Sequence, residues 1–317
     1  MRIRLLLFAL MAAFLNAAAE TVYFAPQWIP QSQFAGFYAA YENGFYEEEG
    51  LDVRFVRVGL NSSVNSIDLL EQGRVQIAGM QTMQAIVERS NGEDIVNVMQ
   101  ITQKTGLCCL SEEALNSFAD LDGKKIGKWR IGFSEICEML VAKSGISIDW
   151  IEGANPVNLF VYGAVDAVLC YSYSELLDVY LAEGELDGNK IIRFADYGDA
   201  FPEDGIYVTG EYYRTHKETV DKFVSASKRG WEWVRENIDA ALDITEKYTT
   251  ESHIQTNRVK QRMMLEEYLR LQDGNNEGTD RYDLISKERF DKVVNALLDA
   301  GYIGSAVDYN DMIPTDR

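Results

Sequence analysis

The densest run of side chains able to do chemistry is Trp28-Ile-Pro-Gln-Ser-Gln-Phe-Ala-Gly-Phe-Tyr38. Trp28, Phe34, Phe37 and Tyr38 offer planar faces, while Gln31 and Gln33 offer amide donors and acceptors. Pro30 restricts the chain, and small Ala35 and Gly36 permit close approach of another helix. Stacking faces beside amides suit a flat heteroaromatic ligand. A plainer assignment competes with it, in which Phe34 and Phe37 belong to the core and only Trp28 and Tyr38 reach solvent.

Catalytic groups are scarce. The chain has two histidines, His216 and His253, both in its later part, so no Ser/His/Asp or Cys/His arrangement comes into view. Zinc lacks its usual ligand spacing, and neither GxxxxGK[ST] nor a strand followed by GxGxxG occurs. These residues describe a binder, with no cofactor and no metal. Tyr212-Tyr213 raises a ferric-iron receptor, but no histidine or carboxylate partner supports it, and the pair is assigned a structural role. The four cysteines, Cys108, Cys109, Cys137 and Cys170, form no CxxC and are expected as buried small apolar residues. A single bridge, Cys137 to Cys170, stays open.

The elements that must position these groups alternate. Thr21–Ala25, Leu51–Val58, Val75–Gly79 and Ile95–Ile101 read as strands, with helices at Phe34–Asn43, Val64–Gln72 and Thr82–Ser90 between them. The pattern restarts with strands Lys125–Lys128, Ser147–Ile151, Ala164–Tyr171 and Lys190–Phe194 and helices near Glu135–Lys143, Pro156–Tyr162 and Tyr173–Ala182. Such alternation predicts an α/β architecture with mostly parallel sheets. Glu71-Gln-Gly-Arg-Val-Gln-Ile-Ala and Val161-Tyr-Gly-Ala-Val-Asp-Ala-Val both run from a helix end through glycine into a strand, which suggests two similar halves. After Tyr207–Thr209 the chain turns helical, over Glu218–Asn237, Ala240–Tyr248, His253–Leu271 and Ser286–Ala300, with Trp231 and Trp233 as core packing. Asp273-Gly-Asn-Asn-Glu-Gly reads as a polar loop.

Composition narrows the partners. With 50 acidic against 30 basic side chains, the chain carries a formal charge of −20, which argues against nucleic acid and anionic lipid. Hydrophobic residues at 47% exclude wholesale disorder. Arg2 and Arg4, an apolar run Leu5 to Leu15 and Ala17-Ala18-Ala19 describe a cleavable secretory leader ending near Ala19–Glu20. That run falls well short of the ~20 residues that span a bilayer. No cysteine at the cleavage region offers a lipid anchor, so a soluble exported protein is expected.

Trp28-x-Pro-Gln-x-Gln-Phe-Ala-Gly-Phe-Tyr, followed by Asn43-Gly-Phe-Tyr-Glu-Glu-Glu-Gly-Leu-Asp-Val, resembles the opening of the thiamine-pyrimidine-precursor family of periplasmic solute-binding proteins. Asp120-Leu-Asp-Gly-Lys-Lys-Ile-Gly resembles the entry to that family's second lobe, and Gly163-Ala-Val-Asp-Ala also matches. The similarity spans residues 21 to about 250. It implies a type II periplasmic-binding-protein fold of two α/β lobes around a ligand cleft, with extra C-terminal helices. Residues 20–104 would open the first lobe, 105–205 form the second, and 206–317 return to the first. Tyr173-Ser-Glu175 resembles the segment where the family often places a tyrosine and a carboxylate facing the ligand, making Glu175 the expected orienting acceptor. Gln81 and Thr82 stand where Val75–Gly79 meets a helix, and Asn61-Ser62-Ser63 forms a similar but less distinctive polar loop. Tyr171 and Asp204 complete the expected cleft, alongside Trp28, Gln33, Tyr38, Gln81, Thr82, Tyr173 and Glu175.

The family also implies an ABC permease in the inner membrane, which the expected monomer would supply from the periplasm with an aminopyrimidine. A sensor kinase is a conceivable further partner for this family, though nothing in the chain points to one. A sulfonate, a flavin or another small solute is the alternative cargo; for an anion, Lys128 and Arg130 are the evident cations. The family's synthase branch resembles an enzyme using pyridoxal phosphate and an internal histidine, but here no histidine precedes His216 and the first lysine is Lys104.

Overall fold

The computed structural model describes residues 19–59, 64–130, 134–196, 201–273 and 281–314. The expected leader, the Asn61-Ser62-Ser63 loop and the polar loop beyond Asp273 lie outside the described residues.

The first alternating run builds β1 (Glu20–Ala25), α1 (Ala35–Glu42), α2 (Phe45–Glu48), β2 (Leu51–Phe55), α3 (Ser66–Glu71), β3 (Ile77–Gln81), α4 (Thr82–Ser90) and β4 (Ile95–Gln100). The second builds β5 (Leu107–Ser111), β6 (Lys125–Trp129), α5 (Glu135–Ser144), β7 (Asp149–Gly153), α6 (Pro156–Val161), β8 (Ala167–Tyr171), α7 (Glu175–Glu183) and β9 (Ile191–Arg193). Then β10 (Asp204–Thr209) leads into α8 (Gly210–Thr215), α9 (Lys217–Glu236), α10 (Ile238–Glu251), α11 (Arg258–Gln272), α12 (Lys287–Asp299) and α13 (Tyr309–Met312).

Two five-stranded sheets result, ordered β2-β1-β3-β10-β4 and β7-β6-β8-β5-β9. They are mixed, which corrects the expectation of mostly parallel sheets. β1 runs parallel to β2 and β3, but β10 is antiparallel to β3 and β4. Likewise β6 runs parallel to β7 and β8, while β5 is antiparallel to β8 and β9. The reversed strand in each sheet arrives by a crossover between lobes rather than through a βαβ unit, so nothing forces it parallel.

The two halves match in detail. Gly73 and Gly163 take left-handed φ of 66° and 67° after α3 and α6, and each hands the chain to the central strand of its sheet. Their N–H groups bond to Leu70 O and Phe160 O, the helix-ending pattern that glycine permits.

The apolar faces explain the first lobe's packing. Phe34, Phe37 and Tyr38 fall at helical spacing and turn inward with Trp231 and Phe223 of α9. A Cβ on Gly36 would stand 2.1 Å from the Trp231 ring, and one on Gly230 would stand 2.1 Å from Gly36 O. Glycine on both helices is what lets α1 and α9 touch along their backbones. Trp231 is fully buried, as expected of core packing.

The C-terminal helices span both lobes. From α11, Gln261 accepts the Ser32 N–H in the first lobe, while Lys260 pairs with Asp178 at 2.5 Å and Glu267 with Arg193 at 3.6 Å in the second. Tyr302, after α12, donates to Glu138 of α5. Among the described residues no helix is long and apolar enough to cross a membrane.

All four cysteines are buried and free. The open Cys137–Cys170 pairing does not form, because the two residues lie on opposite faces of the second sheet: Cys137 packs with Cys109, whereas Cys170 is directly across from Cys108. Period-two alternation along β5 separates them.

Candidate functional site

The carboxyl ends of β1, β3 and β8 and the first residues of β10 converge where the lobes meet, the place where open α/β sheets bind ligands. From the first lobe come Gln27 and Trp28 after β1, Gln33 before α1, and Gln81 and Thr82 at the β3–α4 junction. Tyr171 and Tyr173 come from the second lobe, their ring centroids 5.2 Å apart. Glu203 and Asp204 belong to the crossover that returns the chain to the first lobe.

Hydrogen bonds join the lobes directly. Gln81 Nε2 donates to Tyr171 OH at 2.7 Å, and Gln33 Nε2 reaches Tyr173 OH at 3.4 Å. A small cavity beside them is lined by Gln81, Thr82, Leu107, Glu135, Tyr171 and Glu203, with room for little more than one water. The lobes therefore meet on their own side chains, and this cavity has no room for a ring.

Asp204 is the most connected carboxylate here. Its Oδ2 accepts from Gln33 Nε2 and Tyr268 OH, both at 2.7 Å, while Gln31 Nε2 donates to Gln33 Oε1 at 2.6 Å and fixes that amide's orientation. Its backbone is stapled to the other crossover: the N–H donates to Thr102 Oγ1, and the carbonyl accepts from Ile101 N, Thr102 N and Gln100 Nε2. Beside it, Glu203 accepts from Thr105 Oγ1 and the Gly106 N–H, each at 2.9 Å. Burial raises the pKa of both carboxyls, and the Asp204 charge pushes Glu203 further. Glu135, at the start of α5, faces the cavity and is also raised by burial.

Glycines make these contacts possible. A Cβ on Gly79 would fall 2.5 Å from Gln27 Oε1, and one on Gly106 would fall 2.8 Å from the Tyr173 ring. At both positions a side chain would occupy space the cleft residues use.

The expected residues divide. Gln33, Gln81, Tyr171, Tyr173 and Asp204 meet at the interlobe contact, and Trp28 stands half-buried at the end of β1. Thr82 is present but committed, its N–H and hydroxyl both donating to Glu203 O. Glu175 starts α7, and its Oε2 accepts the Tyr171 N–H at 2.8 Å. Burial raises its pKa, opposed by that bond and by Lys260. Its described role is to fix the turn that presents Tyr171 and Tyr173.

Tyr38 is a correction. It is buried in the first lobe, stacked on Tyr248 with centroids 4.0 Å apart and edge-on to Phe55. Its place on the apolar stripe of α1 sends it inward, away from any ligand. Tyr212-Tyr213 also stays structural: Tyr212 stacks on His216 and Tyr213 is buried in the first lobe's core. Among the described residues no group of three or more His, Cys, Asp or Glu could hold a metal.

Four residues escaped the sequence reading: Gln27, Glu135, Glu203 and Tyr268. Glu203-Asp204, two acids directly before the apolar strand Ile206–Val208, was a readable signal for buried carboxylates. Tyr268 had none, since its helix reaches the cleft only through the tertiary fold.

The family model described as "NMT1/THI5 like" matches residues 31–241. The chain belongs to that family. Its NMT1/THI5-like sequence is 28% identical over 239 residues to the formylaminopyrimidine-binding protein of Halalkalibacterium halodurans, covering 72% of this chain and 71% of that one. It is 22% identical over 232 residues to a yeast 4-amino-5-hydroxymethyl-2-methylpyrimidine phosphate synthase (THI13, Saccharomyces cerevisiae), covering 68% of each. Among solved structures, the periplasmic aliphatic sulphonate-binding protein SsuA of Escherichia coli superposes with a TM-score of 0.68 at 13% identity, covering 93% of this chain and 92% of that one. The NMT1/THI5-like chain thus has the two-lobed type II periplasmic-binding-protein fold.

Proposed function

We propose that this protein is an exported receptor that captures a small nitrogen heteroaromatic, an aminopyrimidine in the first instance, and delivers it to an ABC importer. The observation that carries the reading is the chemistry of the cleft. Among the described residues it is lined by tyrosines, amides and carboxylates, with no lysine or arginine at the interlobe cavity. Residues 60–63, 131–133 and 197–200 contain no lysine or arginine either. A sulfonate would meet acceptors and negative charge there, whereas N–H groups of an aminopyrimidine would meet acceptors to bond with. Lys128, one of two cations considered for an anion, pairs with Glu138 at 2.7 Å, and Arg130 is exposed.

Trp28 would supply a stacking face, and Gln81 with Tyr171 would close over the ring as the lobes come together, the ligand favouring the closed state by its differential affinity. A synthase reading has less support, since Schiff-base chemistry needs a lysine amine and the cavity has none among its lining residues. Export is part of this reading, and the leader-like run from Arg2 to Ala19 supports it.

Thermal unfolding of the mature protein against aminopyrimidines, thiamine, riboflavin, pyridoxal phosphate and taurine tests the ligand class. A ligand at 100 times its dissociation constant stabilises the fold by about 2.7 kcal/mol. A shift with aminopyrimidines alone supports the proposal; a shift with taurine alone refutes it.

A further inference from the structure

Among the described residues one oxygen of the Asp204 carboxylate stands without a hydrogen bond, with the Gln27 side chain beside the group. Its Oδ1 is buried, in a residue 1% exposed, and accepts no hydrogen bond, although Oδ2 accepts two. A buried carboxylate oxygen without a donor costs free energy, so the fold retains it against a penalty that a ligand would relieve. Among the described residues the surroundings do not offer a cation. The groups facing Asp204 are Gln27, Gln33, Tyr173, Tyr268 and the acid Glu203. Gln33 and Tyr268 hold the carboxylate plane, and the backbone staples to Gln100, Ile101 and Thr102 stop it from turning away.

We infer that Asp204 Oδ1 is the acceptor for one N–H of the ligand, an exocyclic amino group or a protonated ring nitrogen, and so selects donor-bearing nitrogen heterocycles over rings that present only acceptors. Gln33 and Tyr268 are positioning residues for it. Glu175 Oε2 is engaged by the turn that presents the tyrosines. The inference rests on the heteroaromatic reading above for the identity of the ring, though not for the donor.

Isothermal titration of the mature protein decides it. The probes are 4-amino-5-hydroxymethyl-2-methylpyrimidine, the same ring with hydrogen in place of the amino group, and benzamidine as a bare N–H donor. The wild type is expected to prefer the amino compound by about 100-fold or more, because a site built around a buried acceptor rejects a ligand that leaves it unpaired. Asp204→Asn should level the two pyrimidines, and Tyr268→Phe should weaken the amino compound about tenfold while leaving the other unchanged. If folded Asp204→Asn keeps the preference, or the wild type has none, the inference is overturned. Should Asp204→Asn fail to fold, Tyr268→Phe decides by the same difference between probes. If the wild type binds neither pyrimidine, the heteroaromatic reading fails by itself, and benzamidine then decides for the acceptor: binding lost in the variants supports it, and no binding overturns it.

Discussion

The two lobes share a sheet order yet are dressed differently. In the first lobe, α1 and α9 meet through Gly36 and Gly230, and aromatic rings of Phe24, Phe37, Phe223 and Trp231 fill the core. The second lobe keeps a small separate core on one face, built from Cys108, Leu110, Val168, Cys170 and Val179, and leaves Tyr162 84% exposed. One scaffold thus serves as a densely packed base and as a lighter jaw. The base carries most of the amide network, and the jaw contributes the tyrosines that meet it.

This contrast can be broken most sharply at glycine. Gly36→Ala forces a Cβ into the Trp231 ring, and urea unfolding should show a loss of about 3 kcal/mol, the upper end of overpacking costs. Gly127→Ala in the second lobe meets Pro156 and Val165 only at 3.5 Å, an ordinary contact, and should cost less than about 1 kcal/mol. Equal costs would remove the distinction between base and jaw.

The crossover between them gives a pH-dependent test. Burial and Asp204 raise the Glu203 pKa from 4.5 to about 8. The folded state therefore holds this proton more tightly than the unfolded chain. Its contribution is fully present below about pH 4.5 and is lost as pH rises through about 8. The slope cannot exceed about 1.4 kcal/mol per pH unit. Glu203→Gln should flatten the stability profile across this window relative to wild type, measured by chemical denaturation at each pH; an unchanged profile would show that Glu203 ionises alike in both states.

A smaller effect probes closure itself. Tyr171→Phe removes the hydroxyl that Gln81 engages across the lobes and should cost the closed state about 1 kcal/mol. X-ray scattering of the unliganded variant should report a larger radius of gyration, and no change would mean that the other interlobe contacts suffice to hold the lobes together.

Much of this arrangement was readable from local pattern. The helix ends at Gly73 and Gly163 announced two equivalent halves because a left-handed residue and the strand after it leave a compact signature. α4 appears at Thr82–Ser90, where helical periodicity puts it. What escaped was set by contacts distant in sequence. β5 lies in a short cysteine-containing run whose identity as a strand comes from pairing with β8 and β9. Tyr38 was misplaced for a different reason: its spacing from Phe34 already marked a buried stripe, and the attraction of an aromatic cluster outweighed that phase. The bond from the Tyr171 N–H to Glu175 Oε2 likewise has no signature in the sequence pattern.

The stapling of Asp204 to Gln100, Ile101 and Thr102 has a kinetic consequence. In the proposed closure these residues would form the pivot, and points near a pivot travel little while points far from it sweep wide arcs. A solute entering the open receptor would find the acceptor already where it will remain, and only later feel Tyr171 arrive from the swinging side. Capture speed would then be governed at the axle and dwell time at the moving rim, so changes at the two places would separate into faster or slower arrival and shorter or longer stay.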